Sequence, residues 1–250
     1  MGVKADKGKV VAIHQPNYIP WLGYFYKIAH ADVFVFLDMV MYPGGSFVNR
    51  NSIKTPNGPA LLTVPVLTSN RAGQLINEVR TANIHRWARR HLAMLRNNYG
   101  KAQYFDEIFA LLQPHYKGLS GDTSSLADFN VTLIRTICTY LGLNARFVCA
   151  SALEVSGSKT ELLRDICLAL GATTYLSGTG AKAYQEDSKF EEAGITSIYS
   201  TFSPPTYPQM FGAFIPNLSI IDVVMNCGKS TRQLLDVEAE AAEWPAQRAV

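Results

Sequence analysis

The chain has 250 residues, 48% of them hydrophobic and 17% charged, and 23 Lys and Arg against 20 Asp and Glu give a formal net charge of +3. This is the balance of a compact soluble protein with a sizeable core, and so small a basic excess excludes a general nucleic-acid binder. No run approaches the roughly 18 apolar residues that cross a bilayer, and the start MGVKADKGKV lacks the apolar stretch of a signal peptide, so a cytoplasmic protein with no membrane span is expected.

In chain order, VVAI (Val10–Ile13) is a short continuous apolar run of the kind that forms a strand buried on both faces, and VFVFL (Val33–Leu37) is a second. Between them Leu22, Tyr26 and Ile28/Ala29 recur at helical spacing, which makes strand, loop, helix, strand, the opening unit of an α/β fold. His14 and Gln15 end the first strand and Asp38 the second. Ligands of open parallel sheets collect beyond such carboxyl ends, so both are expected at one crevice. In MVMYPGGSFVNRNSIKTPNGPALLTVPV, GG and NG mark turns while SFVNR and ALLTVPV read as short strands, a hairpin expected to fold over the site.

Three helical segments follow between Asn83 and Leu141, read as a helical insertion (81–142) in a single α/β domain (1–250). RFVCA is then a strand, SKTELLRDICLAL a helix and TTYLS a strand; Ser158 and Glu161 have capping-box spacing, and Gly171 ends the helix. SIYSTF adds a strand, and PNLSIIDVVMNCG a buried terminal helix closed by Gly228, before a tail (236–250) expected to fray. The expected fold is α/β with one mainly parallel, Rossmann-like sheet. Its strands are Val10–Ile13, Val33–Leu37, Arg146–Val148, Thr174–Leu176 and Ser197–Ser200. Cys138, Cys149, Cys167 and Cys227 lack CxxC spacing and sit in apolar surroundings, which points to buried reduced thiols and no metal site.

Four blocks in this order, HQPNYIPWLGYFYKI, SFVNRNSIKTPNG, TYLSGTGAKAY and YPQMFGAFIPNLSIIDVVMNCG, closely resemble the WbqC-like family, over about Lys9 to Leu235. Members of that family occur mainly among bacterial genes for O-antigen and other surface polysaccharides, and in natural-product clusters. The resemblance implies transfer of a glycyl or similar acyl group to an amino sugar in lipopolysaccharide or natural-product biosynthesis. It brings no catalytic residue with it, so the site is read from the residues themselves.

At a strand end, a neutral His14 imidazole suits a general base or a partner for a phosphate or carbonyl oxygen; the plainer alternative is a histidine bonded to backbone that shapes the PNYIP turn. Asp38 would polarise or position it. Ser177, with the Gly178 and Gly180 amides of SGTGAK, is placed to stabilise negative charge, although such a pattern also makes ordinary turns. Gln15, Asn17, Tyr18, Trp21 and Tyr24 are candidate substrate contacts from the first loop. WLGY stands about where the HxGH element of class I synthetases and nucleotidylyltransferases would, but both histidines are missing.

Asn49, Arg50, Asn51 and Lys54 offer donors for carboxylate, phosphate or sugar hydroxyls, with Phe47 and Val48 as anchors to the core. Gln209 is a further candidate contact; its neighbours Tyr207 and Asn217 could line a pocket or pack a loop. Cys227, at a helix C-terminus, reads as structural, because the helix dipole there disfavours a thiolate. Arg80, Arg86, Arg89, Arg90, Arg96 and Lys101 fall in a stretch without an acidic residue. Arg86, Arg89/Arg90 and Arg96 are expected to share a face opposite Ile84, Trp87 and Leu95. That face is either simply solvated or a landing surface for a tRNA or nucleotide-linked sugar.

The leading functional reading is a transferase that attaches an aminoacyl group, glycyl among the candidates, or another acyl group to an amine of an amino sugar. The catalytic residues would be His14, Asp38 and Ser177, with Asn49, Arg50 and Lys54 closing over the ligand. The activated donor could be ATP-derived, tRNA-borne or carried on a carrier protein, and the acceptor a nucleotide-linked amino sugar. The alternatives are a non-catalytic nucleotide-sugar-binding or scaffold protein and, third, a nucleotidylyltransferase-like enzyme.

Overall fold

The computed structural model describes residues 8–68 and 73–236; the expected fraying tail lies outside the described residues apart from Asp236. The chain runs β1 (Val10–His14), α1 (Leu22–Ala29), β2 (Val33–Phe36), the hairpin β3 (Arg50–Thr55) and β4 (Gly58–Thr63), then α2 (Ile84–Tyr99), α3 (Phe105–Lys117) and α4 (Leu126–Leu141). It continues with β5 (Arg146–Cys149), α5 (Lys159–Ala169), β6 (Thr174–Gly178), α6 (Ser188–Glu191), β7 (Thr196–Ser200) and α7 (Ile220–Cys227). Five strands form one sheet in the order β5-β2-β1-β6-β7, and every neighbouring pair is parallel.

The expected strands are therefore all present in one Rossmann-like sheet, and the reason is burial. Successive residues of a strand point to opposite faces, so a strand covered on both sides must be apolar throughout. Ala12, Phe34, Phe36, Leu176 and Ile198 join α1, α2, α3, α4 and α7 in one continuous cluster on one face. Val11, Ile13, Val33, Val35 and Tyr175 pack with Leu162, Ile166 and Phe190, from α5 and α6, on the other.

Local expectations fail where tertiary partners compete. Ser158 does stand at the N-cap of α5, and Gly171 (φ 65°) follows its end, but the Ser158 side chain makes no cap hydrogen bond. Glu161 instead accepts from Lys189 of α6 at 3.1 Å, so the capping box does not close. SFVNR is not a strand up to its last residue: Ser46–Asn49 make a turn in which Asn49 N donates to the Ser46 carbonyl (3.2 Å), and pairing begins at Arg50. Val48 is fully buried, whereas Phe47 is 63% exposed and anchors nothing. The hairpin does not fold over the sheet crevice. Asn51 Nδ2 donates to the Ile19 carbonyl (2.8 Å) and Ser219 N to the Ser52 carbonyl (2.9 Å), which pins it between the PNYIP loop and α7. Nor is α7 terminal, since a 3-10 coil, Gly228–Leu235, follows it.

Candidate active site in the crevice between β1 and β6

The strand order makes β1/β6 the switch point of the sheet, where the connections leave to opposite sides and ligands of such folds bind. The two strands pair at Val10↔Thr174, Val11↔Tyr175 and Ala12↔Leu176, and then part. His14 stays with β2 through His14↔Phe36, while Ser177 and Gly178 stay with β7. The gap is a cavity of about 300 Å³ lined by His14, Gln15, Lys27, Ser177, Gly178 and Gly180, with walls that include Leu37, Leu163, Tyr175 and Tyr184. Among the described residues no carboxylate lines it.

His14 is partly buried, its ring edge-on to Tyr24 with centroids 4.8 Å apart. The Gln15 carbonyl lies 3.2 Å from Nδ1 and can only accept, so Nδ1 carries the proton and Nε2 is left as an acceptor. Burial, then the charge of Lys27, lower its pKa to about 3 against the weaker pull of that carbonyl, so the ring is neutral at physiological pH.

Lys27 is the residue that sequence reasoning missed. Every residue from Leu22 to Ile28 is buried, so α1 is apolar all round except for this one ammonium. Helical side chains lean toward the helix N-terminus, which carries the Lys27 stem up to the carboxyl edge of the sheet. There Nζ donates to the Ile13 carbonyl at 2.9 Å. The His14 and Val10 carbonyls accept from β2-side amides, so the Ile13 carbonyl points toward β6, where the strands have parted. Lys27 is 5% exposed, has no ion pair among the described residues, and burial lowers its pKa to about 7. A lone charge in an otherwise apolar helix was the available signal.

Ser177 is buried, and its Oγ donates to Gln185 Oε1 (2.9 Å), whose Nε2 donates to Asp187 Oδ1 (2.7 Å). Its proton is thus committed away from His14. Asp38 does not reach the crevice: its carboxylate accepts from Ser151 N (2.9 Å) and Ser151 Oγ (2.6 Å), fastening the turn after β5.

The other expected contacts lie outside the cavity. Asn17 is buried in the loop after β1, and the Tyr18 hydroxyl shares hydrogen bonds with His91 Nδ1 (2.8 Å) and the Tyr116 hydroxyl (2.6 Å). Tyr24 OH donates to the Gln15 carbonyl (3.0 Å), and Trp21 bridges to Ser219. Asn49 Nδ2 donates to the Val64 carbonyl (3.0 Å), while Arg50 is exposed. Asn130, which carried no expectation, donates to the Pro16 (2.8 Å) and Val48 (2.7 Å) carbonyls and so ties the first loop to the approach to β3.

Lys54 and Gln209 meet in a second, closed constellation. Lys54 Nζ donates to Gln209 Oε1 (2.9 Å) and to the Ala213 carbonyl, 2.6 Å away. Gln209 Nε2 donates to Tyr207 OH (3.0 Å) and the Ile215 carbonyl (2.9 Å). Tyr99 and Tyr207 donate to the two oxygens of the fully buried Asp222, at 2.7 and 2.9 Å. Burial raises the Asp222 pKa against these donors, and burial followed by the Asp222 charge pushes the nearby Cys227 thiol up to about 11.

The arginines of α2 do not share one face. Arg89 and Arg96 flank a groove of about 610 Å³ against α3, where Lys117 joins them, whereas Arg86 and Arg90 flank the side toward Leu61 of β4. The Arg96 guanidinium lies 5.0 Å from the Phe109 ring centroid, and none of the four is ion-paired among the described residues. Among these residues no helix is long and apolar enough to cross a membrane, and no group of three or more His, Cys, Asp or Glu is placed to hold a metal ion.

No solved structure matches the chain. An uncharacterized protein of Mycobacterium tuberculosis is 38% identical to it over 221 residues, which cover 88% of this chain and 94% of the relative. The model of the WbqC-like protein family matches residues 15–234, a span that begins one residue after His14 and holds Gln15, the end of β6, Lys27 and the closed constellation. The chain belongs to the WbqC-like protein family.

Proposed function

We propose that the chain is an acyl- or aminoacyltransferase whose reaction takes place in the crevice between β1 and β6. The observation that carries the reading is the parting of these strands after Ala12 and Leu176, which gathers His14, Lys27 and Ser177 around one small cavity that no carboxylate of the described residues lines. A cavity of about 300 Å³ is at the low end for ligand sites, so it takes the acyl group and the accepting amine, with a larger nucleotide portion left outside. In the transfer, the amine nitrogen bonds to the acyl carbon as the bond to the donor's leaving group breaks, and the proton the nitrogen loses goes to that leaving group. His14 Nε2 accepts a hydrogen bond from the amine N–H and aims its lone pair, and the segment from Ser177 to Gly180 faces the oxygen on which negative charge develops. Asp38 supports this at a distance, by holding the end of β2.

The test is product formation. The purified protein is incubated with a nucleotide-linked amino sugar and, in turn, an aminoacyl donor generated from ATP, one carried on tRNA and one on a carrier protein, and mass spectrometry reads the acceptor. One donor class should give the N-acylated product, and His14→Ala should lower turnover by about 100-fold or more with the unfolding transition retained. Acceptor binding without product from any donor would leave the binding or scaffold reading. Exchange of label between pyrophosphate and ATP without acylation would favour nucleotidylyl transfer.

A further inference from the structure

Lys27 is a buried ammonium that, among the described residues, has one partner, the Ile13 carbonyl, and no carboxylate lining the cavity beside it. The titratable groups that share the crevice are His14 from β1, Tyr175 from β6 and Tyr184 from the coil after it; the residue after β2 contributes Leu37, and α5 contributes Leu163. An unpaired buried charge costs several kcal/mol, which a leucine or methionine at this position of α1 would avoid. The missing counter-charge therefore belongs to something that enters the cavity.

We propose that the crevice is a binding site for a small carboxylate, held by the Lys27 ammonium. Charge selects the class: one ammonium neutralises one carboxylate, whereas a phosphate dianion would leave net negative charge in a partly enclosed site beside a neutral imidazole. Size selects within it, since about 300 Å³ holds an amino acid or short acid and excludes a nucleotide sugar. A ligand that also carries an amino group finds an acceptor in the bare Nε2 of His14. Identification of this carboxylate with the donor side of acyl transfer rests on the function proposed above; the carboxylate site itself does not.

The experiment reads binding alone. Acetate, glycine and inorganic phosphate are titrated calorimetrically into the full chain at pH 8, in two buffers of different ionisation enthalpy. Because burial holds the Lys27 pKa at about 7, carboxylate binding at pH 8 should take up a proton, and affinity should fall about tenfold per pH unit above that. Lys27→Met should abolish both binding and proton uptake while urea unfolding stays cooperative. Carboxylate binding without proton uptake, binding that survives Lys27→Met, phosphate bound in preference to acetate, or no carboxylate bound at tens of millimolar would each overturn the proposal. Should the variant not fold, proton uptake by the unsubstituted chain decides alone. No turnover enters, so a failure here leaves acyl transfer to be judged by its product.

Discussion

Lys54 and Lys27 are almost equally buried, 2% and 5% exposed, in opposite surroundings. Lys54 sits in a closed network whose carboxylate, amide and hydroxyls all find partners. Lys27 has one carbonyl and a cavity. The closed network holds the chain from Tyr207 to Ile215 against β3, α2 and α7. In the crevice, no described residue supplies a counter-charge to the Lys27 amine. A buried charge with its partners present is a structural element, whereas one whose partner is missing at the mouth of a switch point marks a place for a ligand. The same substitution strategy should therefore have opposite effects in the two regions.

The largest effect is expected in the closed network. Asp222→Ala strands the hydroxyls of Tyr99 and Tyr207 and removes the negative member of the group, and should cost about 4 kcal/mol in urea unfolding. A cost below about 1 kcal/mol would mean the network does not hold this loop.

Lys27→Met should have the opposite sign, stabilising the fold by about 3 kcal/mol at pH 7 after allowance for the lost bond to Ile13. The folded-state pKa, about 7, lies below the unfolded value of 10.5, so between these pH values the unfolded chain binds more protons and the unsubstituted protein gains stability as pH rises. Lys27→Met lacks that gain, and its advantage should vanish as pH approaches 10.5. Denaturant unfolding at pH 7 and pH 10 measures both values.

An acid-side effect comes from His14. Its folded-state pKa of about 3 is below the ordinary 6.5, so stability falls as pH drops from 6.5 toward 3, because only the unfolded chain protonates readily there. His14→Gln should flatten the melting temperature across that window without abolishing the slope, since burial holds His91 at about 4 and it makes a similar contribution.

Least of all should be seen for the exposed arginines. Arg86→Gln with Arg90→Gln should change stability by no more than about 0.5 kcal/mol each. If α2 receives a phosphate-bearing donor or acceptor, the pair should also flatten the salt dependence of the transfer reaction. Salt-independent transfer would return the helix to a solvated face.

The strands were legible because a parallel sheet covered on both faces demands continuous apolar runs, and few other structures use four or five such residues between turn signals. The position of SFVNR was less so: a strand and a turn over a buried Val48 have similar local sequences, and only the partner at Thr63 sets where pairing starts. Asp38 shows the same limit for a polar residue. Its place at the end of β2 follows from the sequence, but its partner, Ser151, lies 113 residues away. Lys54 and Gln209 read as two separate donors on two loops and meet across 155 residues.

From the sequence alone follow the α/β class, the strands, and the placement of His14 and Ser177 at strand ends on a single edge, because those depend on local periodicity and on the shared direction of parallel strands. Tertiary structure decided which strand pair opens, which carboxylate is already engaged, and that a lysine inside an apolar helix reaches the opening. Each of these turns on whether a polar group finds a partner, and the partners come from elements far apart in the chain that only packing brings within hydrogen-bond distance.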